Sequence, residues 1–244
     1  FTYHQKTDTA YYYFRKAVRK ATGQDNPKLL NTRYGDLGFY FDAIAQYDSA
    51  EFYYEKALAL ATQLNNQAGI TSSRFNLGVL SLRSGNYETS ATYILEALAY
   101  YERTNNVNKI SDCYLMLGVI YNKIGNYGLA IDYYKKSFAL GKNQGNSYAM
   151  ARASANIGIN YKKIGEYKKA IHYLEESLTV AQKISNKHII SLSYSNMATV
   201  NMSLGNYKKA LHFHKKTLAI AQEIKDKRQI AISTANIGET YSLM

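Results

Sequence analysis

The stretch NIGINYKKIGEYKKAIHYLEESL, residues 156–178, is answered by NMATVNMSLGNYKKALHFHKKTL, residues 196–218, forty residues further on. The same interval runs through the whole chain. Tyr47, Tyr87, Tyr127, Tyr167 and Tyr207 keep it, as do Gly38, Gly78, Gly118, Gly158 and Gly238, with Ala198 filling the one gap. A third series, Asn26, Asn66, Asn106, Asn146, Asn186 and Asp226, has the same beat. Self-similarity at a fixed period of this size points to stacked structural units rather than a single globular core.

Local chemistry says what each unit is. Asn and Asp are favoured at helix starts, where the side-chain oxygen accepts a hydrogen bond from a free N–H of the first turn. Pro27, the only proline, follows Asn26 at the position where a missing N–H costs nothing. Apolar-periodic stretches then stop at Gly85, Gly125, Gly165 and Gly205, where glycine can take the left-handed conformation that closes a helix. The spacing predicts a helix A over about Lys109 to Lys123 and a helix B opening near Tyr127. Ala130, Tyr133, Tyr134, Ser137 and Phe138 recur on one face of B at three-to-four spacing. Each antiparallel pair is too small to bury its own apolar stripe and must stack on its neighbours. Gly118 and Gly158 in A, with Ala130, Ala170 and Ala210 in B, are expected where backbones approach, and the tyrosines are the bulky side chains opposite them.

The spacing Leu117-Gly118-x-x-Tyr121, followed by Ala130, Tyr134 and Ser137, resembles the Leu-Gly-x-x-Tyr…Ala…Phe…Ala pattern of the tetratricopeptide repeat (TPR), and it returns in every unit. The period is 40 rather than the usual ~34 residues, and the proline that follows helix B in the family is absent. Longer helices account for both, as in the 40-residue variants of kinesin light chains, of peptide-sensing regulators of Gram-positive bacteria, and of bacterial histidine kinases and transcription regulators. HEAT repeats share the length but not the Gly-x-x-Tyr…Ala spacing. The resemblance implies an all-α fold, a right-handed superhelical solenoid of antiparallel helix pairs. The phase gives a half repeat at 1–25, five pairs at 28–66, 67–106, 107–146, 147–186 and 187–226, and a half repeat at 227–244. Residues 7–22 match a helix B through Ala10, Tyr13 and Ala17, so the chain is expected to be a piece of a larger protein.

Bulk properties exclude more than they locate. The 244 residues carry 30 Lys and Arg against 18 Asp and Glu, a formal +12, which favours acidic partners. Cys113 is the only cysteine, so neither an internal disulfide nor a cysteine-built zinc site is available. No run of about 18 apolar residues could span a bilayer, and the start lacks the order of a signal peptide. A soluble cytoplasmic or periplasmic part of a bacterial protein is expected. HExxH, GxGxxG after a strand and the P-loop are all missing, no cofactor is implied, and His212 and His214 face different ways on one helix. His172 and His212 occupy equivalent positions on what reads as a solvated face. The chain reads as not an enzyme. Nucleic acid is a poor match, since neither a helix-turn-helix nor an RNA-binding signature is present and most tyrosines fall on buried phases.

The residues a helix-pair solenoid does not itself prescribe are those facing its inner, concave surface. The family resemblance places these at six, three and two before the periodic glycine and one, four and five after it, a single face at 100° per residue. Asn76, Asn156 and Asn196 stand at two before it, and Arg83, Lys123 and Lys163 at five after it. Arg152, Asn122 and Lys162 belong to the same wall, with Phe75, Val79, Leu115, Val119 and Ile159 as an apolar floor. Amides for a peptide backbone, cations for carboxylates and apolar anchors together suit an acidic peptide segment. Two roles are open to the Asn series: meeting a ligand, or bonding to the neighbouring helix and holding superhelical pitch. The expected function is a non-catalytic protein- or peptide-binding module. It would be the sensory or partner-docking region of a bacterial histidine kinase or transcription regulator. The alternatives are an adaptor working through its convex face or its ends, where end-to-end self-association is expected, and a quorum-type peptide receptor.

Overall fold

The computed structural model describes residues 2–244, with side chains from residue 9 onward. These residues form twelve α-helices and no strand. They are α1 (Thr2–Gly23), α2 (Pro27–Ala43), α3 (Tyr47–Gln63), α4 (Gln67–Arg83), α5 (Tyr87–Arg103), α6 (Val107–Ile124), α7 (Tyr127–Asn143), α8 (Ser147–Lys163), α9 (Tyr167–Lys183), α10 (Lys187–Ser203), α11 (Tyr207–Glu223) and α12 (Lys227–Ser242). The chain divides into two compact units, 1–116 and 117–244, the division falling within α6.

The junctions explain the period. Most helices have 17 residues and are joined by three, so two helices and two junctions make forty. In the junction after α4, Gly85 takes φ +85° and its N–H donates to Leu82 O, while the Asn86 N–H reaches back to Ser81 O at 2.8 Å. This pair of bonds is the Schellman ending, which satisfies two carbonyls the helix would leave open. Asn86 is also the residue from which α5 starts. At Asn126 the double use is complete: its N–H donates to Tyr121 O, and its side chain accepts from Leu129 N, the first turn of α7.

All six members of the Asn/Asp series cap A helices, each accepting from the N–H three residues on: Leu29, Gly69, Lys109, Ala149, Ile189 and Gln229. Gly85, Gly125, Gly165 and Gly205 all have positive φ. The equivalent turn after α2 carries Ala45 instead, held at φ +57°.

In the pairs that have the periodic glycine, it lets an aromatic or aliphatic side chain lie against the A-helix backbone. A Cβ at Gly38 would stand 2.4 Å from the Tyr54 ring, one at Gly118 2.5 Å from Tyr134, and one at Gly158 2.7 Å from Leu174. Tyr54 and Tyr134 are almost wholly buried, and burial pushes both phenols far above their usual range. A second recurring contact uses the aromatic residue three after the periodic glycine. Tyr121 stacks on Tyr133 with ring centres 5.5 Å apart, Tyr161 on Tyr173 at the same distance, and Phe41 on Tyr53 at 5.4 Å. Cys113 is buried, and its thiol is pushed up to about 12.

At the position that Tyr134 and Leu174 hold in their pairs, α11 has His214, 2% exposed, with no hydrogen-bond partner at Nδ1 among the described residues. Burial pulls this imidazole below its usual range, and the nearby Glu239 pulls weakly the other way.

Gly118→Ala should destabilise the protein by about 1–3 kcal/mol through overpacking against Tyr134. Gly238→Ala, at the same phase but with open space around the added carbon, should be neutral or gain up to ~1 kcal/mol from helix propensity. Urea unfolding of the two variants measures the contrast; equal effects would contradict the close-packing role.

Candidate functional site

Among the described residues the A helices α2 and α4 touch directly, as do α8 and α10, whereas no comparable contact is seen between successive B helices of one unit. The A helices are therefore the crowded, inner side of the stack. Residues at the sequence-predicted inner phases meet one another across these A–A contacts, and they fall into three groups.

The first is already paired. Arg83 Nη1 donates to Asp42 Oδ1 at 2.7 Å, joining α4 to α2. Asp42 is 6% exposed, and burial raises its carboxyl above the usual range although the Arg83 guanidinium pulls it down. Arg83 is thus the counter-ion of a buried acid, not an unengaged cation like the others of its phase. Asn122 Nδ2 donates to Asn160 Oδ1 at 2.8 Å, and Asn160, 1% exposed, donates in turn to Asn156 O. Lys162 Nζ donates to Asn196 Oδ1 and Thr199 Oγ1, each at 3.0 Å, and Asn196 Nδ2 donates to Leu192 O. Burial, then repulsion from Lys163, holds the Lys162 ammonium below the usual lysine range. These bonds join Asn122 on α6 and Asn196 on α10 to α8; Asn76 and Asn156 make no side-chain hydrogen bond among the described residues.

The second group is open. Lys123 and Lys163 are exposed and have no carboxylate partner among the described residues. Arg152 is partly exposed with its guanidinium 5.5 Å from the Tyr148 ring centre.

The third group is apolar. Val79, Val119 and Ile159 are partly exposed, as a floor requires, and Phe75 lies under the Lys109 ammonium at 5.4 Å. Leu115 is 5% exposed and belongs to the packed interior rather than to an open surface. Phe39, at the phase of Val79, is 66% exposed and was not singled out by sequence, because a phenylalanine in a repeat reads first as core.

The two units differ electrostatically. Residues 1–116 hold twelve Lys and Arg against eleven Asp and Glu, whereas residues 117–244 hold eighteen against seven. The net charge of +12 is therefore +1 in one unit and +11 in the other. Among the described residues no cluster of three or more His, Cys, Asp or Glu is placed to hold a metal ion, and no helix is long and apolar enough to cross a membrane.

The model of the tetratricopeptide repeat matches residues 68–143, 111–183 and 189–244, more than half of the chain. The chain belongs to the tetratricopeptide repeat family. No curated protein sequence matches it. Solved structures share the TPR fold at low identity. BtubC from P. vanneervenii is 18% identical, with 91% of this chain and 92% of that one covered, at a TM-score of 0.77. The apo form of RapI is 20% identical over 87% and 82% of the two chains, with a TM-score of 0.78. The Rap conjugation gene regulator of plasmid pLS20, in complex with the Phr* peptide, is 16% identical over 91% and 64%, with a TM-score of 0.70.

In this TPR chain the three cations five residues past the periodic glycine should separate on mutation. Arg83→Met leaves a buried acceptor unsatisfied and should cost about 1–3 kcal/mol at neutral pH, whereas Lys163→Met should stay within ~0.5 kcal/mol. Asp42 has a folded-state pKa raised above 3.8, so its stability term is full below 3.8 and lost as pH rises through the folded value. Removing Arg83 raises that value further, so the deficit of Arg83→Met should shrink on acidification. Urea titrations at several pH values measure this; a pH-independent deficit would contradict it.

Proposed function

We propose that the protein is a non-catalytic docking module that takes an acidic polypeptide segment along the A-helix wall of residues 117–244. The observation that carries this reading is the set of cations left without carboxylate partners there. Lys123, Lys163 and Arg152 stand beside the free amide of Asn156 and the partly exposed side chains of Val119 and Ile159. The amide offers a donor and an acceptor to an extended backbone, the cations attract carboxylates, and the apolar pair anchors side chains between them. The paired residues Asn122, Asn160, Lys162 and Asn196 hold the helices that carry this set at fixed spacing, so the ligand groups are presented without a large ordering cost. The wall of residues 1–116 has its cation at this phase, Arg83, neutralised by Asp42 and exposes Phe39, and it would take an apolar side chain rather than a carboxylate.

The wider setting proposed is the sensory or partner-docking part of a bacterial signalling protein, a histidine kinase or a transcription regulator. A peptide receptor of the quorum type is the second reading, favoured by the fold shared with a Rap regulator solved with its Phr* peptide. An adaptor that binds through its ends has its own support in Tyr12 and Tyr13 on α1 and Ile232 on α12, all exposed.

Fluorescence anisotropy with a panel of labelled twelve-residue peptides, acidic and charge-reversed, tests the proposal. Acidic members carrying aliphatic residues should bind, and the triple variant Lys123→Glu, Arg152→Glu, Lys163→Glu should weaken them by at least about tenfold, or ~1.4 kcal/mol, with unfolding free energy unchanged. Acidic peptides that bind the variant as well as the wild type would remove the A-helix wall from consideration.

A further inference from the structure

The B helices carry a second charge pattern that neither the fold nor the A-helix wall requires. In α3 and α5 the first turns hold Asp48 and Glu88, the sign that suits the positive end of a helix dipole. At the same place in α9 and α11 the chain has Lys168, Lys169, Lys208 and Lys209, four cations at the end of the helix where a cation is unfavourable. All four are exposed, and apart from Lys169, which reaches its own Glu166 at 3.4 Å, none has a carboxylate partner among the described residues. Helix stability therefore gives no reason for them. Further along α11, Lys215 and Lys216 add to the same exposed face.

Shape accompanies the charge. Between α9 and α11 lies an open groove of about 380 Å³. Ile171, Met197 and Phe213 form its apolar lining, Asn201 adds an amide, and its rim carries Lys208, Lys209 and His212 against the single carboxylate of Glu175. The outer face of α3 and α5 has the opposite character. Asp48, Glu51, Glu55 and Glu88 are exposed there with one cation, Lys56, whose ammonium lies 4.4 Å from the Phe52 ring centre, and two large apolar side chains, Phe52 at 49% and Leu95 at 39%, stand out among them.

We propose that the basic B-helix face of α9 and α11 docks the acidic B-helix face of α3 and α5 from a second copy of the chain. Carboxylates of one copy meet the first-turn lysines of the other, and Phe52 or Leu95 enters the apolar groove. Two different patches are joined, so the contact is heterologous and either closes into a ring or grows into an open chain, unless both patches of two copies pair at once in a two-fold dimer. Exposed charge pairs contribute about 0.2–1 kcal/mol each and are screened by salt, so the association is modest and dependent on ionic strength. The inference is independent of the A-helix wall and stands if that reading fails.

Sedimentation velocity on the whole chain provides the test. At about 20 mM salt the wild type at up to about 100 μM should show mass above the monomer. Raising salt to about 300 mM, which shortens the screening length severalfold, should weaken association by at least about tenfold. The variant Lys168→Glu, Lys169→Glu, Lys208→Glu, Lys209→Glu and the variant Asp48→Lys, Glu51→Lys, Glu55→Lys, Glu88→Lys should each be monomeric, with helical content retained by circular dichroism. Mixed together, they should associate, because each now carries the partner face of the other. A monomeric wild type overturns the proposal, as do variants that self-associate like the wild type or a mixture that stays apart. A monomeric wild type that instead binds a single-stranded oligonucleotide or anionic vesicles through these lysines would assign the face to another class of partner.

Discussion

The structure depends on a junction of three residues in which the residue that ends one helix also begins the next. A Schellman ending needs a left-handed residue and one further N–H to reach back, and a helix start needs a capping oxygen. Placing the second N–H and the oxygen on one residue, as at Asn126 and Asn66, leaves no slack in the turn. The chain must reverse at once, and the two helices lie antiparallel with their faces fixed. Seventeen residues at 1.5 Å rise give rods of roughly 25 Å, and the recurring junctions keep Gly38, Gly78, Gly118 and Gly158 opposite bulky partners. From that register follow the contacts of Gly38 with Tyr54 and of Gly118 with Tyr134.

Once the register is fixed, side chains outside the packed phases are free to vary, and the two units use that freedom differently. In residues 1–116 the A-helix wall is electrically closed: Arg83 answers Asp42 and Arg33 answers Asp36. In residues 117–244 the wall keeps Lys123, Lys163 and Arg152 without acids, and an Asn–Asn and Lys–Asn network stiffens the helices behind them. Neutral partners for Lys162 matter here. A carboxylate in place of Asn196 would cancel part of the positive field of the wall, whereas an amide fixes the ammonium and leaves its charge uncompensated.

The junctions and the glycine contacts were legible in the sequence because each is local or repeats at one phase. Asn26 through Asp226 and Gly85 through Gly205 identify themselves by chemistry and interval. The caps of the B helices were not read, since only Asn126 makes the side-chain bond while Asn86 and Asn206 do not, and the series is interrupted by Gln46 and Glu166. The ladder of Arg83, Lys123 and Lys163 looked uniform because a period aligns positions without showing which neighbour each meets. Asp42 lies forty-one residues before Arg83, one period and one residue, and Asn160 lies thirty-eight after Asn122, so both partners stand within two residues of one full period. His214 stands where the other pairs have Tyr54, Ile94, Tyr134 and Leu174, so its burial follows from the period although the residue type alone suggests a polar surface. The concentration of charge in the second half was present in the composition and was masked by counting the chain as a whole.

The double use of junction residues is the claim on which this account rests, and alanine substitution at matched positions measures it directly. Asn126 and Asn186 bond the first turn of the next helix through their side chains, while Asn86 and Asn206 contribute only their backbone N–H. Equilibrium unfolding should show losses of about 1 kcal/mol for Asn126→Ala and Asn186→Ala and clearly smaller losses for Asn86→Ala and Asn206→Ala. Equal losses in all four, or none in the first two, would contradict it.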